Sequence, residues 1–531
     1  MSIYTVKVEE SLPTADGRAS PYNWLTYEEV YETTVKIGSA IRSRGVNPGC
    51  GIYAVNCPEW IMAMEACNSQ AISYVPLYDS LGANAVEFII NHAEASIVFA
   101  QESKIPAILS CLSRCTIISF GYISNTQRSE AEEHGVACFS SEEFVQMGSL
   151  DHKLPQKRKI DILSIMYTSG TIGEPKGVIL TNGAFTGEVL SMHQLLVETD
   201  KGGACVLSFL PLAHIFDQII WTYCIYRGAS IGFWQGLRYI YSFFSELLIA
   251  FSNYKLDLLV LKPTIFRVME KIEAGGTLNK LLFYKLRTME KGLRQDEAGP
   301  RFDRLVFDKI KLAFGGRVRL MLSGAAPLPK HVEEFLRVTC CCSLAQGYGL
   351  TESCGGCLTS IANDYSMVGT SVLEMGYDAL ASVPRGDICP RGKRLSSGYH
   401  KQDLKKSVLV DGWIHTGNKY SGDVGGWQPD GAMKIIDRKK NNFKLCQGEF
   451  SSFLSNNTNA RKYILDELNS TARKHQLQGF EMLHALHLEP NLFDTERDLV
   501  TSTFKLKRPQ LLHYYKDIVG PLYKEANAKT A

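Results

Sequence analysis

A one-sided charge is the first thing missing from this sequence. Its 57 Lys+Arg face 55 Asp+Glu, a formal net charge of +2. That removes the basic excess by which a dedicated nucleic-acid binder grips phosphate backbones. Long apolar runs are missing too. Residues 239–261 form the most apolar stretch, but Glu246, Asn253, Lys255 and Asp257 interrupt it. A membrane span needs about 18 or more apolar residues in a row, so this stretch reads as a buried or interfacial segment. The opening Met1-Ser-Ile-Tyr-Thr-Val-Lys-Val-Glu-Glu has no apolar core behind a basic start, and no signal peptide is expected. Ser2 offers no site for a myristoyl chain, and the final Lys529-Thr-Ala is neither an ER-retention nor a peroxisomal tripeptide. The 12 histidines form no HExxH, and Cys354-Gly-Gly-Cys357 lacks a second well-spaced pair, so structural zinc is not expected. The sequence also lacks internal repeats, low-complexity tracts and any Ser-His-Asp or Cys-His pattern of nucleophilic catalysis.

What is present is a chain of 531 residues, 45% hydrophobic and 21% charged. It is too apolar for disorder and long enough for a large multilayer body plus a smaller unit. Its 15 cysteines are an odd number scattered over the whole length, which suits reduced thiols in an intracellular compartment. Strand-like runs alternate with helical patterns. Gly51–Asn56, Ala71–Leu77, Ile162–Tyr167, Val178–Leu180 and Arg319–Leu322 read as strands, and Trp60–Ala71 and Ala83–His92 as helices. Such alternation predicts α/β layers with largely parallel strands. Past residue 430 the pattern changes: a dense polar cluster ends at Asn442, and helices are predicted over Ala460–His475 and Gln510–Ala526.

The chemistry concentrates in Tyr167-Thr-Ser-Gly-Thr-Ile-Gly-Glu-Pro-Lys-Gly177. Three glycines, three hydroxyl side chains and a lysine between two strands can wrap a polyphosphate with backbone N–H groups, hydroxyls and one positive charge. It is not a Walker-type loop, because Gly177 and not Ser/Thr follows Lys176. Glu352, read alone, suits the start of a helix. Lys505, Lys507 and Arg508, read alone, form a solvated basic face. His214, in an apolar turn, reads as a satisfied core residue.

The loop resembles the phosphate loop of the adenylate-forming superfamily. Gly347-Tyr-Gly-Leu-Thr-Glu352, Leu322-Ser-Gly-Ala-Ala-Pro-Leu328, Asp411-Gly-Trp-Ile-His-Thr-Gly417 and Ile436-Asp-Arg-Lys-Lys440 resemble its other signatures. Pro211-Leu-Ala-His214 and Thr501-Ser-Thr-Phe-Lys-Leu-Lys-Arg508 are most similar to long-chain fatty acyl-CoA synthetases of the plant type. The resemblance implies an N-terminal AMP-binding domain of layered α/β subdomains over residues 1–436 and a truncated, mobile α+β domain over 437–531. It implies ATP-dependent conversion of a fatty acid to an acyl-adenylate and then to acyl-CoA, with Mg2+ and coenzyme A, at the cytosolic face of the endoplasmic reticulum. Thr168, Ser169, Gly170, Thr171, Gly173 and Lys176 would hold the phosphates, and Thr168 and Glu352 the magnesium. Gly324, Ala325, Ala326, Gly347, Tyr348, Gly349 and Thr351 would surround the adenine, and Arg438 would contact the nucleotide. His214 would lie near the acyl carboxylate, Lys440 at the hinge, and Lys505 at the α-phosphate.

The chain also departs from that family. Ile172 stands where a second threonine is usual, removing a hydroxyl from the phosphate cradle. One hydrogen bond to a charged group contributes on the order of 1.5–3 kcal/mol. Asn418 follows Gly417 where an Asp binds ribose; Gly422-Asp423 restores the pair further on, so Asp423 is the preferred ribose ligand and Asn418 its alternative. Segments are shortened around Thr370–Glu374, between Phe266 and Arg267, and after Phe450. These breaks leave a second expectation open, that of a catalytically impaired relative that binds nucleotide or acyl groups without turnover.

Overall fold

The computed structural model describes most of residues 23–45, 49–109, 115–168, 175–196, 205–233, 343–360 and 385–401, parts of 320–337, 409–438 and 458–522, and the short pieces 4–7 and 249–251. Two compact units are present. One comprises Met1–Thr168, Pro175–Glu374 and Pro384–Lys439; the other comprises Ser169–Glu174, Met375–Val383 and Lys440–Ala531.

The first unit is built on a seven-stranded sheet. Its strands are β1 (Gly49–Tyr53), β2 (Ser73–Leu77), β3 (Ile97–Ala100), β4 (Thr116–Ser119), β5 (Ala137–Ser140), β6 (Ile162–Thr168) and β7 (Lys176–Thr181). They lie in the order β5-β4-β3-β1-β2-β6-β7. All neighbours are parallel except β6 and β7, which form an antiparallel hairpin. Parallel strands need covered faces, which is why β1 is buried at every position. The two faces feed separate cores. Along β3, Ile97 and Phe99 join the core that holds Trp60, Phe144 and Met166, while Val98 and Ala100 join the one that holds Tyr53, Ile89 and Tyr167. Each fully buried aliphatic or phenylalanine side chain contributes roughly 1.5–3 kcal/mol. The Pro58–Ser69 helix begins with its proline in the first turn, where no intrahelical N–H is required, and buries Trp60 edge-on to Tyr74.

The predicted strands, and the helices predicted over Trp60–Ala71, Ala83–His92 and Ala460–His475, appear with ends displaced by a few residues. The helix predicted over Gln510–Ala526 is found as Arg508–Tyr514 and turns at Tyr515, and residues 523–526 lie outside the described residues. A second sheet orders Cys205–Ser208, Ser230–Phe233, Tyr4–Lys7 and Asn23–Thr26. A third contains β8 (Leu320–Gly324), β9 (Ser343–Leu350) and β10 (Gly355–Thr359), with Ile249–Phe251 parallel to β8 at its edge. Those three residues are the described part of the apolar stretch 239–261, the rest of which lies outside the described residues. A fourth sheet pairs β11 (Asp423–Trp427) with β12 (Met433–Arg438) and with Arg385–Asp387.

In the second unit the Thr458–Lys474 helix carries an irregular segment, 483–489. Asn469 exchanges two hydrogen bonds with the Leu483 backbone, and the Arg461 guanidinium donates to the Leu486 carbonyl. Tyr515, which follows the Arg508–Tyr514 helix, donates to Glu489 Oε2 at 2.8 Å. Leu488, Leu499 and Val500 are buried in this unit. Among the described residues no helix is long and apolar enough to cross a membrane.

Candidate active site

The β6–β7 hairpin presents the glycine-rich loop. Thr168 and Lys176 are cross-strand partners at the end that the loop joins, and the Thr168 hydroxyl donates to the Lys176 carbonyl at 3.4 Å. Ser169, Gly170, Thr171, Ile172 and Gly173 lie between them, outside the described residues. At the Tyr167 position of β6, His92 from the Ala83–Ala93 helix has Nδ1 at 2.6 Å from the Tyr167 hydroxyl, and the His400 ring meets the His92 ring edge-on at 5.4 Å. Burial raises the Tyr167 phenol pKa; burial first, then the neighbouring His92, lowers that of His400.

The second signature occupies the β9–β10 turn. Gly324 at the end of β8 registers with Gly347 on β9, so two glycine-bearing segments far apart in sequence meet at one sheet end. Tyr348 pairs with Leu358 of β10, and a register shift follows between Tyr348 and Gly349. Thr351, Glu352 and Ser353 form a short 3-10 turn. Ser353 closes it by accepting from the Leu350 N–H and donating to the Leu350 carbonyl. The chain reverses through Cys354 at φ 57° and Gly355 at φ 105°. A Cβ on Gly349 would lie 1.5 Å from the Gly355 carbonyl oxygen. Gly349 is therefore required by the hairpin itself, a reason that the sequence reading, which assigned it to the nucleotide, did not supply. Cys354 and Cys357 are free thiols, and burial raises both, Cys357 to about 11.

Residues 396–400 join the two motifs. Ser397 N–H donates to the Ile179 carbonyl, Ile179 N–H to the Gly398 carbonyl and His400 N–H to the Gly177 carbonyl, at 2.8–3.0 Å. This segment therefore runs along β7, the strand that starts at Lys176. From the same segment, Ser396 N–H donates to the Glu352 carbonyl at 2.8 Å and the Tyr399 hydroxyl to Glu352 Oε1 at 2.6 Å. Glu188 reinforces the turn, accepting from the Gly356 N–H at 3.1 Å and pairing with Arg394. Burial raises the Glu188 pKa and the Arg394 guanidinium opposes that rise.

His214 has a structural role of its own. It caps the Ile215–Arg227 helix, its Nδ1 accepting from the Phe216 N–H at 3.2 Å. That bond places the proton of the neutral ring on Nε2. Its turn is pinned from several sides: Asn56 accepts from the Leu212 N–H and donates to the Leu210 carbonyl, and Gln218 donates to the Leu212 carbonyl. The helix capped by His214 packs on β10, and Ile219 Cδ1 lies 2.8 Å from where a Gly355 Cβ would stand. The histidine turn and the Glu352 turn thus share one packed layer.

Asp423 and Arg438 are direct cross-strand partners on β11 and β12. Ala325, Ala326, Asn418, Lys440 and Lys505 lie outside the described residues. Tyr399, Asn56 and the Glu188–Arg394 pair were missed by sequence reading. They belong to no signature, and their partners stand 47, 156 and 206 positions away. For magnesium, the donor chemistry fits. The Thr168 hydroxyl and Glu352 carboxylate are hard oxygen donors, and magnesium beside phosphate takes only one or two protein carboxylates.

The AMP-binding enzyme family matches residues 11–400. The chain is 54% identical over 606 residues to probable CoA ligase CCL6 of Humulus lupulus, covering 96% of this chain and 89% of that one. It is 51% identical over 616 residues to long chain acyl-CoA synthetase 2 of Arabidopsis thaliana, covering 98% and 90%. Both alignments are longer than the 531-residue chain, so these relatives carry residues between the matched segments that this chain lacks. Among solved structures, the A domain of carboxylic acid reductase from Segniliparus rugosus superposes with a TM-score of 0.69 at 18% identity, covering 99% of this chain and 91% of that one. The long-chain-fatty-acid-CoA ligase FadD1 of Archaeoglobus fulgidus does so with a TM-score of 0.59 at 18% identity, covering 82% and 81%. These two likenesses establish the adenylate-forming α/β fold. Relatives that share half their residues with nearly the whole chain establish more: the chain belongs to the AMP-binding enzyme family, among the plant long-chain acyl-CoA synthetases, in a form shortened between its matched segments.

Proposed function

We propose that the chain activates a long-chain fatty acid with ATP and passes the acyl group to coenzyme A. The observation that carries this reading is the shared framework of the phosphate-loop lysine and the signature carboxylate: Lys176 begins β7, and Glu352 is tied to β7 through residues 396–400. In the first step the fatty carboxylate attacks the α-phosphorus of ATP and the bond to pyrophosphate breaks. In the second the thiol of coenzyme A attacks the acyl carbonyl and AMP leaves. Neither step needs an enzyme nucleophile, so the protein contributes position and positive charge. Thr168, Ser169, Gly170, Thr171, Gly173 and Lys176 hold the phosphates. Tyr348, flanked by Gly324, Ala325, Ala326, Gly347, Gly349 and Thr351, takes the adenine. Asp423 takes the ribose, with Arg438 beside it, and the His214 turn faces the acyl carboxylate. Thr168 and Glu352 would hold magnesium, which when bound neutralises phosphate charge. Residues 437–531 act as a mobile domain that brings Lys505 to the α-phosphate by turning at Lys440.

Fatty-acid-dependent exchange of labelled pyrophosphate into ATP, followed by measurement of acyl-CoA, tests the reading. Exchange and thioester are both expected; no exchange from a folded, monodisperse sample would overturn it. The shortened segments and Ile172 favour a second reading, a relative that binds nucleotide or acyl groups with little or no turnover. Exchange without thioester would point to the C-terminal unit as the impaired part. Because a long acyl chain partitions into bilayers at about 0.8 kcal/mol per methylene, we also place the enzyme at the cytosolic face of the endoplasmic reticulum. Recovery with cytosolic protein and not with microsomes on fractionation would exclude that location.

A further inference from the structure

Tyr399 belongs to none of the signatures, yet its side chain is only 1% exposed. A phenol that is buried needs a partner for its hydroxyl, and here the partner is a carboxylate: Oη donates to Glu352 Oε1 at 2.6 Å. That distance lies in the range of a charge-assisted O–H···O⁻ bond. The backbone around Tyr399 is held just as closely. Tyr399 forms an antiparallel bridge with Val178, and the flanking Ser397, Gly398 and His400 are bonded to β7 on either side of it. Three residues earlier, Ser396 N–H donates to the Glu352 carbonyl. Both the main chain and the carboxylate of Glu352 are therefore set by one short segment, and that segment is anchored on the strand that begins at Lys176.

We propose that Tyr399 is a positioning residue for magnesium-ATP: its hydroxyl holds the Glu352 carboxylate in the single orientation in which it meets the metal beside the phosphates. The inference rests on the reading of Glu352 as a magnesium carboxylate. A glutamate side chain loses substantial rotamer freedom when fixed; a phenol that fixes it beforehand removes that cost from the binding step. A carboxylate has about four lone-pair positions, so one bond from Tyr399 leaves it able to coordinate a cation. Phenylalanine would fill the same buried space. The hydroxyl adds a bond aimed at the carboxylate, and its loss is expected to appear in metal-dependent binding.

The test uses the full chain, without fatty acid, and measures ATP affinity by titration calorimetry in excess magnesium chloride and again in EDTA. Wild type is expected to bind ATP more tightly with magnesium. Tyr399→Phe should match wild type in EDTA and bind magnesium-ATP roughly 10- to 100-fold more weakly, the range for losing a partner of a metal-ligating carboxylate. Glu352→Gln should lose the magnesium preference, and Tyr399→Phe added to it should change nothing further, since the two act through one contact. Thermal unfolding of each variant confirms that a folded protein is being titrated. A Tyr399→Phe protein with the wild-type magnesium preference would overturn the inference and leave the role of Glu352 standing. An equal loss in EDTA, or an undiminished loss in the Glu352→Gln background, would overturn it in favour of a packing role. Wild type binding ATP equally with and without magnesium would instead overturn the reading of Glu352 itself, and the inference with it.

Discussion

At residue 217, burial outweighs the ordinary preference of a carboxylate for its charged form. Asp217 sits in the first turn of the helix capped by His214, where the helix dipole favours an anion. It is nevertheless only 6% exposed, with one neutral donor, the Ser208 hydroxyl, at 3.0 Å. Desolvation pushes its pKa up to about 7 from 3.8. The folded chain therefore holds this proton more tightly than the unfolded chain does. Its contribution to stability is fully present below about pH 3.8 and is lost as pH rises towards 7, at up to about 1.4 kcal/mol per pH unit. Asp217→Asn keeps an acceptor for Ser208 and removes the titration. Its unfolding temperature should gain on wild type by a few degrees between about pH 5.5 and pH 8; a gap that stays constant across that range would exclude Asp217 as the titrating group. Asp217 was not singled out from the sequence. A first-turn aspartate looks like an ordinary solvated helix start until packing has removed the water.

At the scale of the element, the β9–β10 turn explains why its signature is so rich in glycine. Gly349 of the signature and Gly355 just beyond it are matters of space and backbone: Gly349 faces the Gly355 carbonyl with no room for a Cβ, and Gly355 has a positive φ. Gly347, by contrast, has its nearest neighbouring atom 3.8 Å from an added Cβ. Gly349→Ala is expected to lose at least about 3 kcal/mol, by forced displacement of backbone, whereas Gly347→Ala should unfold near the wild-type temperature. Similar unfolding temperatures for the two variants would contradict the hairpin geometry. The glycine pattern was visible in the sequence, but it could not separate glycines that admit a ligand from glycines that admit the partner strand. Only the register Gly349↔Gly356, with the shift next to Tyr348, makes that division.

For the whole molecule the question is how two compact units share one reaction. In the proposed cycle Lys505, from the C-terminal unit, stabilises charge at the α-phosphate during adenylation and has no part in thioester formation. Lys505→Ala should therefore lower pyrophosphate exchange by on the order of 100-fold while leaving thioester formation from supplied acyl-adenylate nearly unchanged. Equal losses in both half-reactions would remove the division of labour between the units. The internal shortening is a property of the same scale. It is distributed between well-matched segments, and its effect is read from whether both half-reactions survive.

Local chemistry made much of this protein legible from its residues alone. Phosphate loops, strand alternation and helix patterns are written within windows of about ten residues, because backbone geometry and side-chain periodicity act over that range. The α/β layering, the β6–β7 hairpin and the family resemblance were all readable that way. Tertiary structure alone decided which remote side chains hold those motifs in place. Tyr399 on Glu352, Asn56 on the histidine turn and Glu188 beneath Gly356 meet their partners across 47 to 168 positions of chain. Hydrogen bonds and desolvation depend on distance in space, and no spacing in the sequence encodes which buried donor will find which acceptor.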